Sequence, residues 1–277
     1  MGRVLAVRPD PQLVTALGTV VDLGRHQLEF CGGSAEAIRR VRERAIDVVV
    51  TDPVTPIEED LALATEVQQM RPAVRTIVLA PEATQTEVVT AIRANVFACF
   101  TCPYDYAEIA SMTGTALQAD NWRDGIQVVS GLPYWLTLRA SCHLLTADRL
   151  VRFMTELQSS LPGERDLLIT AFREMLLNAM EHGAGFDPEK IIEVTAARTA
   201  RAIVYHFRDP GVGFKPETLE HAAAATSEPD DVMSTAMRRA EMGLRPGGFG
   251  MLIVRNVVDE LVYNERGNEV LLIKHLD

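Results

Sequence analysis

Glu174, Asn178 and His182 stand four residues apart in the stretch FREMLLNAMEHGAGFDP that runs from Phe172 to Pro188. An α-helix turns every 3.6 residues, so these positions lie along one side and a carboxylate, an amide and an imidazole line up as ligands would. The other side carries Leu168, Phe172, Met175, Leu176, Ala179 and Met180, which puts the helix on a core with its polar stripe near the edge. Taken alone, an E-x-x-x-N spacing is also what a solvated helix face presents.

Two glycine-bearing stretches follow. DPGVGF comes directly after the β-branched run RAIVYHFR; Asp209 at a strand end can accept a hydrogen bond, while Gly211 and Gly213 let the backbone come close to a flat ligand. Further on, RPGGFGMLIVRNVVDEL places Gly247, Gly248 and Gly250 ahead of a helix, where free N–H groups and the helix dipole suit a polyphosphate. It is not a G-x-x-x-x-G-K-S/T loop.

The elements that must hold these residues read clearly. GIQVVS and YWLTLRA form an early strand or hairpin, and Ala147–Leu157 is an amphipathic helix broken by Leu161-Pro162-Gly163. Glu164 and Asp166 in the first turn and Gly183 after the last bound the second helix. IIEVTAA and RAIVYHFRD read as adjacent antiparallel strands, and EVLLIKHL is the final one. The expectation is an α+β domain over residues 121–277, entered through the polar linker QADNWRDG.

Ordered and spaced as they are, EMLLNAMEH, DPGVG and GGFGMLIVRNVVDEL resemble the N, G1 and G2 boxes of the GHKL (histidine-kinase-like) ATPase superfamily, most closely its anti-sigma-factor serine kinase branch. The resemblance covers roughly residues 126–276. It implies that Asn178 binds Mg²⁺, that Asp209 takes the adenine amino group of ATP, and that Gly211 and Gly213 shape the base pocket. Gly247, Gly248 and Gly250 would wrap the phosphates beneath a lid from Lys215 to Pro246, with His182 at a position where the family often has a histidine. Glu174, four residues before the metal-binding Asn, could orient or deprotonate an attacking hydroxyl. His182 in a last helical turn would equally satisfy helix-end carbonyls.

Over residues 1–120, apolar runs at RVLAV, HQLEF, IDVVV, RTIVLA and VFACF alternate with helical patterns of about a dozen residues. Strands and helices at this pitch give a doubly wound five-stranded parallel sheet, with chemistry at the carboxyl ends of the strands. Order and spacing resemble a response-regulator receiver domain, with Asp52 at the phosphoacceptor position and Pro103 after the usual lysine. The departures are large: Arg8 and Pro9 replace the acids that would hold Mg²⁺, Asp10 comes one place late, Ala80 replaces the switching hydroxyl and Cys102 the lysine. Phosphoryl transfer rests on positioning and charge neutralisation, so a carboxylate lacking metal and cation is poorly equipped for it. Asp52 is therefore expected to be inactive, and the domain to be a degenerate receiver used for dimerisation or docking.

The charge is −11, with 38 acidic against 27 basic residues, which disfavours direct nucleic-acid binding. No run of 18 apolar residues and no signal peptide is evident, so no membrane association and a cytoplasmic location are expected. Cys31, Cys99, Cys102 and Cys142 read as free thiols; the C-x-x-C of CFTC ends a strand run rather than opening a helix. By resemblance the chain is a bacterial signalling protein, an ATP- and Mg²⁺-dependent serine/threonine kinase that phosphorylates an anti-anti-sigma-like antagonist, engages a sigma factor and forms a homodimer. An ATP-gated binding module without transfer, and an atypical histidine kinase, are the alternatives.

Overall fold

The structure, a computed structural model, describes residues 2–24, 26–119, 125–132, 134–158, 164–213 and 250–276. The chain forms two compact units: Met1–Asp124 with Asp148–Ser160, and Gly125–Ala147 with Leu161–Asp277.

The first unit alternates β1 (Arg3–Val7), α1 (Pro11–Gly24), β2 (Gln27–Cys31), α2 (Ser34–Glu43), β3 (Val48–Val50), α3 (Ile57–Met70), β4 (Arg75–Ala80), α4 (Gln85–Arg93), β5 (Ala98–Thr101) and α5 (Tyr106–Gln118). Its five strands are parallel in the order β2-β1-β3-β4-β5. Val4 to Val7, Val48 to Val50 and Ile77 to Ala80 are fully buried, as strands covered by helices on both faces must be. Local signals set the helix starts. Thr84 and Glu87 form a capping box at α4, and the Asp105 carboxylate accepts from the Ala107 and Glu108 N–H groups at α5. From Asp148 onward the helix α6 (Leu144–Leu157) also belongs to this unit.

The second unit is a six-stranded antiparallel sheet, β10-β11-β9-β8-β7-β6, built from β6 (Ile126–Leu132), β7 (Trp135–Ser141), β8 (Ile191–Arg198), β9 (Ala202–Arg208), β10 (Glu260–Tyr263) and β11 (Glu269–His275). Alternation decides its inner face: Leu136, Leu138, Ala140, Ile192, Val194, Ile203, Tyr205, Phe207, Val270 and Leu272 are buried. Onto this sheet packs α7 (Arg165–Asn178), whose Phe172 ring lies 5.0 Å from the Tyr205 ring and 5.2 Å from that of Phe207. The helix α8 (Gly250–Val257) packs on α7. No described helix is long and apolar enough to cross a membrane.

Phe172 is fully buried between two aromatic rings. Phe172→Ala should therefore destabilise the second unit by about 3–5 kcal/mol, read from its urea unfolding midpoint. A loss under about 1 kcal/mol would show that α7 is not pinned there.

Candidate functional site

Regular α geometry ends at Asn178, and Ala179–Gly183 form a π-helical turn. Phe186 N–H then donates to Met180 O and Gly185 N–H to Glu181 O, both at 2.9 Å, with Gly185 and Phe186 at positive φ. An unbroken α-helix to Gly183 is thus corrected. Glu174 and Asn178 keep their i, i+4 relation in regular α geometry, while His182 lies in the π turn and is exposed. π turns of this kind sit frequently at functional sites, and nothing in the residue pattern marks this one in advance.

The start of α8 closes on the Glu174–Asn178 stripe. A Cβ on Gly250 would meet the tip of the Glu174 carboxylate, which would have to shift. The Asn178 amide Nδ2 lies 3.6 Å from Met251 Sδ, which also receives the Tyr263 hydroxyl at 3.9 Å. Burial pushes the Tyr263 phenol up to about 12. Gly247, Gly248 and the expected lid from Lys215 to Pro246 lie outside the described residues.

Asp209 stands at the end of β9. Its carboxylate Oδ1 accepts from Gly211 N–H at 2.8 Å, and burial raises the carboxyl above the usual aspartate range, against that hydrogen bond and the nearby Arg266 charge. The end of the π turn meets it: a Cβ on Gly183 or on Gly211 would run into the Asp209 carboxyl group. Gly213, at φ +80°, is pressed just as closely on the Arg266 carbonyl. Asp209, Gly211, Gly213 and Gly183 therefore meet at one place, as Glu174, Asn178 and Gly250 do at another.

A hairpin turn supports the Asp209 segment. Asn268 O accepts from Asp209 N–H at 3.0 Å, and Asn268 Nδ2 donates to Asp209 O at 3.1 Å. The Asn264 carbonyl Oδ1 accepts three N–H groups, from Gly267, Asn268 and Glu269, at 2.7–3.2 Å. Arg266 donates from Nε to Val212 O at 3.3 Å and from Nη2 to Gly211 O at 3.2 Å. Asn264, Arg266 and Asn268 escape the sequence reading; the asparagines and glycine of NERGN signal a turn, but not what the turn holds.

In the first unit, Asp52 is 1% exposed, and the Arg8 guanidinium Nε lies 2.5 Å from its Oδ2. Asp52 Oδ1 accepts from Val54 N–H at 2.9 Å, and Arg8 Nη2 donates to Thr55 Oγ1 at 2.9 Å. Asp10 is engaged too, accepting Leu13 N–H at 2.8 Å and the Tyr106 hydroxyl at 2.6 Å. Cys102 is exposed and Cys99 buried, and burial pushes the Cys99 thiol far up, out of thiolate chemistry.

Residues 146–274 match the family described as histidine kinase-like ATPase domain. A stretch of 117 residues is 26% identical to the DNA-binding transcriptional regulator NtrC of Azospirillum brasilense, covering 42% of this chain and 24% of that protein, so the chain spans about a quarter of the relative's length. Among solved structures, the non-phosphorylated HemR receiver domain from Leptospira biflexa is 19% identical with a TM-score of 0.38, over 44% of this chain and 98% of that one. A CheY-like receiver domain protein from Methanospirillum hungatei is 16% identical with a TM-score of 0.37, over 43% and 94%.

Beside Asp52 lies a second carboxyl, Asp60, with no exposed surface. Its Oδ2 accepts the Thr51 hydroxyl at 2.7 Å, the same oxygen that receives Leu79 N–H at 3.0 Å, and its Oδ1 has no hydrogen-bond partner. Burial pushes Asp60 up to about 7; the Thr51 hydrogen bond opposes this, and the Asp52 charge adds to it. An unfolded aspartate titrates near pH 4. Between about pH 4 and 7 the folded chain therefore holds a proton that the unfolded chain has lost, so this group's contribution to stability falls as pH rises. Asp60→Asn should gain about 2 kcal/mol relative to the wild type between pH 5 and pH 8 in denaturant titrations. A difference independent of pH would show Asp60 to be ionised throughout.

Proposed function

We propose that this chain, whose residues 146–274 carry a histidine kinase-like ATPase domain and whose first unit is a receiver-type doubly wound sheet, is a signalling protein of anti-sigma-factor kinase type. It binds ATP with Mg²⁺ and phosphorylates a serine or threonine of a small anti-anti-sigma-like antagonist, working as a homodimer that also engages a sigma factor. The observation that carries this reading is the convergence of Gly183 and Gly211 on the Asp209 carboxyl group. In this reading the half-buried carboxylate accepts an exocyclic amino group of a flat heterocycle, and the glycine backbone lies near the ring.

Each residue then has a task. Asp209 fixes the adenine, Gly211 and Gly213 bring the backbone to its face, and Gly250 at the head of α8 offers main-chain N–H groups to phosphate oxygens. Asn178 would hold Mg²⁺, which offsets phosphate charge when bound. Glu174, one turn earlier, would accept the proton of the attacking hydroxyl. A second reading, an ATP-gated binding module without transfer, has one observation in its favour: Glu174 rests against Gly250, and a carboxylate there steadies a helix start with no chemistry at all.

Calorimetry with ATP and Mg²⁺ tests the site. Asp209→Asn or Asn178→Ala should weaken binding tenfold or more, about 1.4 kcal/mol. Glu174→Ala should keep the nucleotide yet lose transfer to the copurifying partner by roughly a hundredfold or more. Absence of adenine-nucleotide binding by the wild type at millimolar concentration overturns the reading, and transfer by Glu174→Ala at the wild-type rate leaves the binding module.

In the first unit, the Arg8 guanidinium takes the charge-neutralising place that a metal would take beside Asp52. Such a fixed pair favours no incoming phosphoryl group. Incubation with radiolabelled acetyl phosphate should leave the chain unlabelled, and Asp52→Asn should not alter its output. Stable label that vanishes in Asp52→Asn would refute this.

A further inference from the structure

From Thr146 the helix α6 lies within the stretch matched to the ATPase domain, yet from Asp148 onward it packs with the first unit. Its opening turn is fixed in the second unit: Thr146 Oγ1 and Ser141 Oγ at the end of β7 are 3.0 Å apart, and Cys142 N–H donates to Lys190 O at 3.1 Å. The remainder is gripped by β5, α4 and α5. Arg149, 2% exposed, donates from Nε to Phe97 O at 3.0 Å and from Nη2 to Val96 O at 3.2 Å, with its guanidinium over the Phe97 ring. Arg152 pairs with Glu108 of α5 at 2.7 Å and with Glu156, and lies over the Phe100 ring. Glu156, 4% exposed, accepts the Thr101 hydroxyl at 2.5 Å, and Gln85 of α4 donates to Leu157 O at 3.1 Å.

Beside the buried apolar face of Leu150, Phe153, Met154 and Leu157, the grip adds buried charges. Removing guanidinium and carboxylate groups from water costs several kcal/mol per ion before pairing repays it, and apolar side chains of similar volume often hold a helix as well or better. What a hydrogen-bonded grip supplies instead is dependence on the geometry of its partners. Those partners sit at the end of β5. Thr101 is followed by Cys102 and Pro103, and Tyr104 donates its hydroxyl to Pro53 O at 2.7 Å, next to Asp52. The carboxyl rim of the first sheet and the α6 grip thus share one short segment of chain.

We propose that α6 is the element through which the first unit regulates the second, with the Thr101–Glu156 hydrogen bond as the point where an event at the rim loosens or tightens the helix. The proposal rests on the reading above of a signalling ATPase and adds a route by which the first unit acts on it. A ligand or modification that moves Thr101–Tyr104 alters the hold on Glu156 and Arg152. The helix carries the change to its first turn and so to β7, without phosphorylation of Asp52.

Hydrogen–deuterium exchange on the full chain without nucleotide tests this, so failure to bind ATP would leave the result readable. Glu156→Gln and Thr101→Val should each speed exchange of α6 amides about tenfold and shift exchange in β7 and α7 of the second unit at least about threefold. The double variant should fall well short of the product of the two, as for groups in direct contact. If Glu156→Gln does not fold, Thr101→Val at the less buried end of the pair carries the same readouts. Unchanged exchange in α6 would show that the pair does not hold the helix. A loosened α6 with β7 and α7 at wild-type rates would show that it only covers the first unit. Either outcome overturns the proposal.

Discussion

The approach of Gly183 to the Asp209 carboxyl group allows no side chain at residue 183, and the second unit is arranged around that contact. For a helix end to reach a strand end so closely, α7 must finish on the inner side of the sheet and turn away at once. The π turn from Ala179 to Gly183 does both, because its wider ring shifts the helix end outward before Gly185 and Phe186 reverse the chain at positive φ. The same demand for bare backbone recurs at Gly211 and Gly213, each against neighbouring main chain. Rigidity comes from below: the Asn264 carbonyl gathers three N–H groups of the hairpin turn, and Asn268 ties that turn to both main-chain polar groups of Asp209. A half-buried carboxylate on a main chain held this way keeps its direction.

The first unit is organised by charge. Carboxylates close together repel unless a cation separates them. Here the cation is part of the chain: Arg8 reaches Asp52 and Thr55, while Asp10 is diverted to capping α1 and receiving Tyr106. Asp60, deeper and without a cation of its own, is accommodated by shifting its proton affinity upward. The rim is in this sense self-contained. Asp52 and Asp10 find their partners in Arg8, Val54, Leu13 and Tyr106 of the same unit.

Much of this was legible in the sequence, for identifiable reasons. Buried parallel strands are unbroken apolar runs, and Val48–Val50 or Ile77–Ala80 admit no other assignment once helical patterns flank them. The alternation in β7, β8 and β9 likewise names the inner face of the second sheet. What stayed hidden depends on distances between segments far apart in the chain. Gly183 reads as an ordinary helix-ending glycine until Asp209 is seen against it. Arg266 lies in a polar turn, and no local pattern says that its guanidinium reaches back 55 residues to Gly211. The π turn uses residues that would continue an α-helix equally well, so no local pattern announces it.

The helix α6 shows the same limit at the level of whole units. Periodicity reveals that a helix has faces, but not which neighbour each face meets. Leu150, Phe153, Met154 and Leu157 form one buried face, and Arg149, Arg152 and Glu156 form another that is buried as well, a pattern that would pass for a solvated flank in a linear reading. Only carbonyls at Val96 and Phe97, a hydroxyl at Thr101 and a carboxylate at Glu108 make burial of those side chains tolerable. Because these partners belong to one particular sheet end, the helix cannot dock elsewhere without stranding its charges. The apolar face and these polar partners together hold the helix from Asp148 onward in the first unit, although in sequence it continues the element that opens the second.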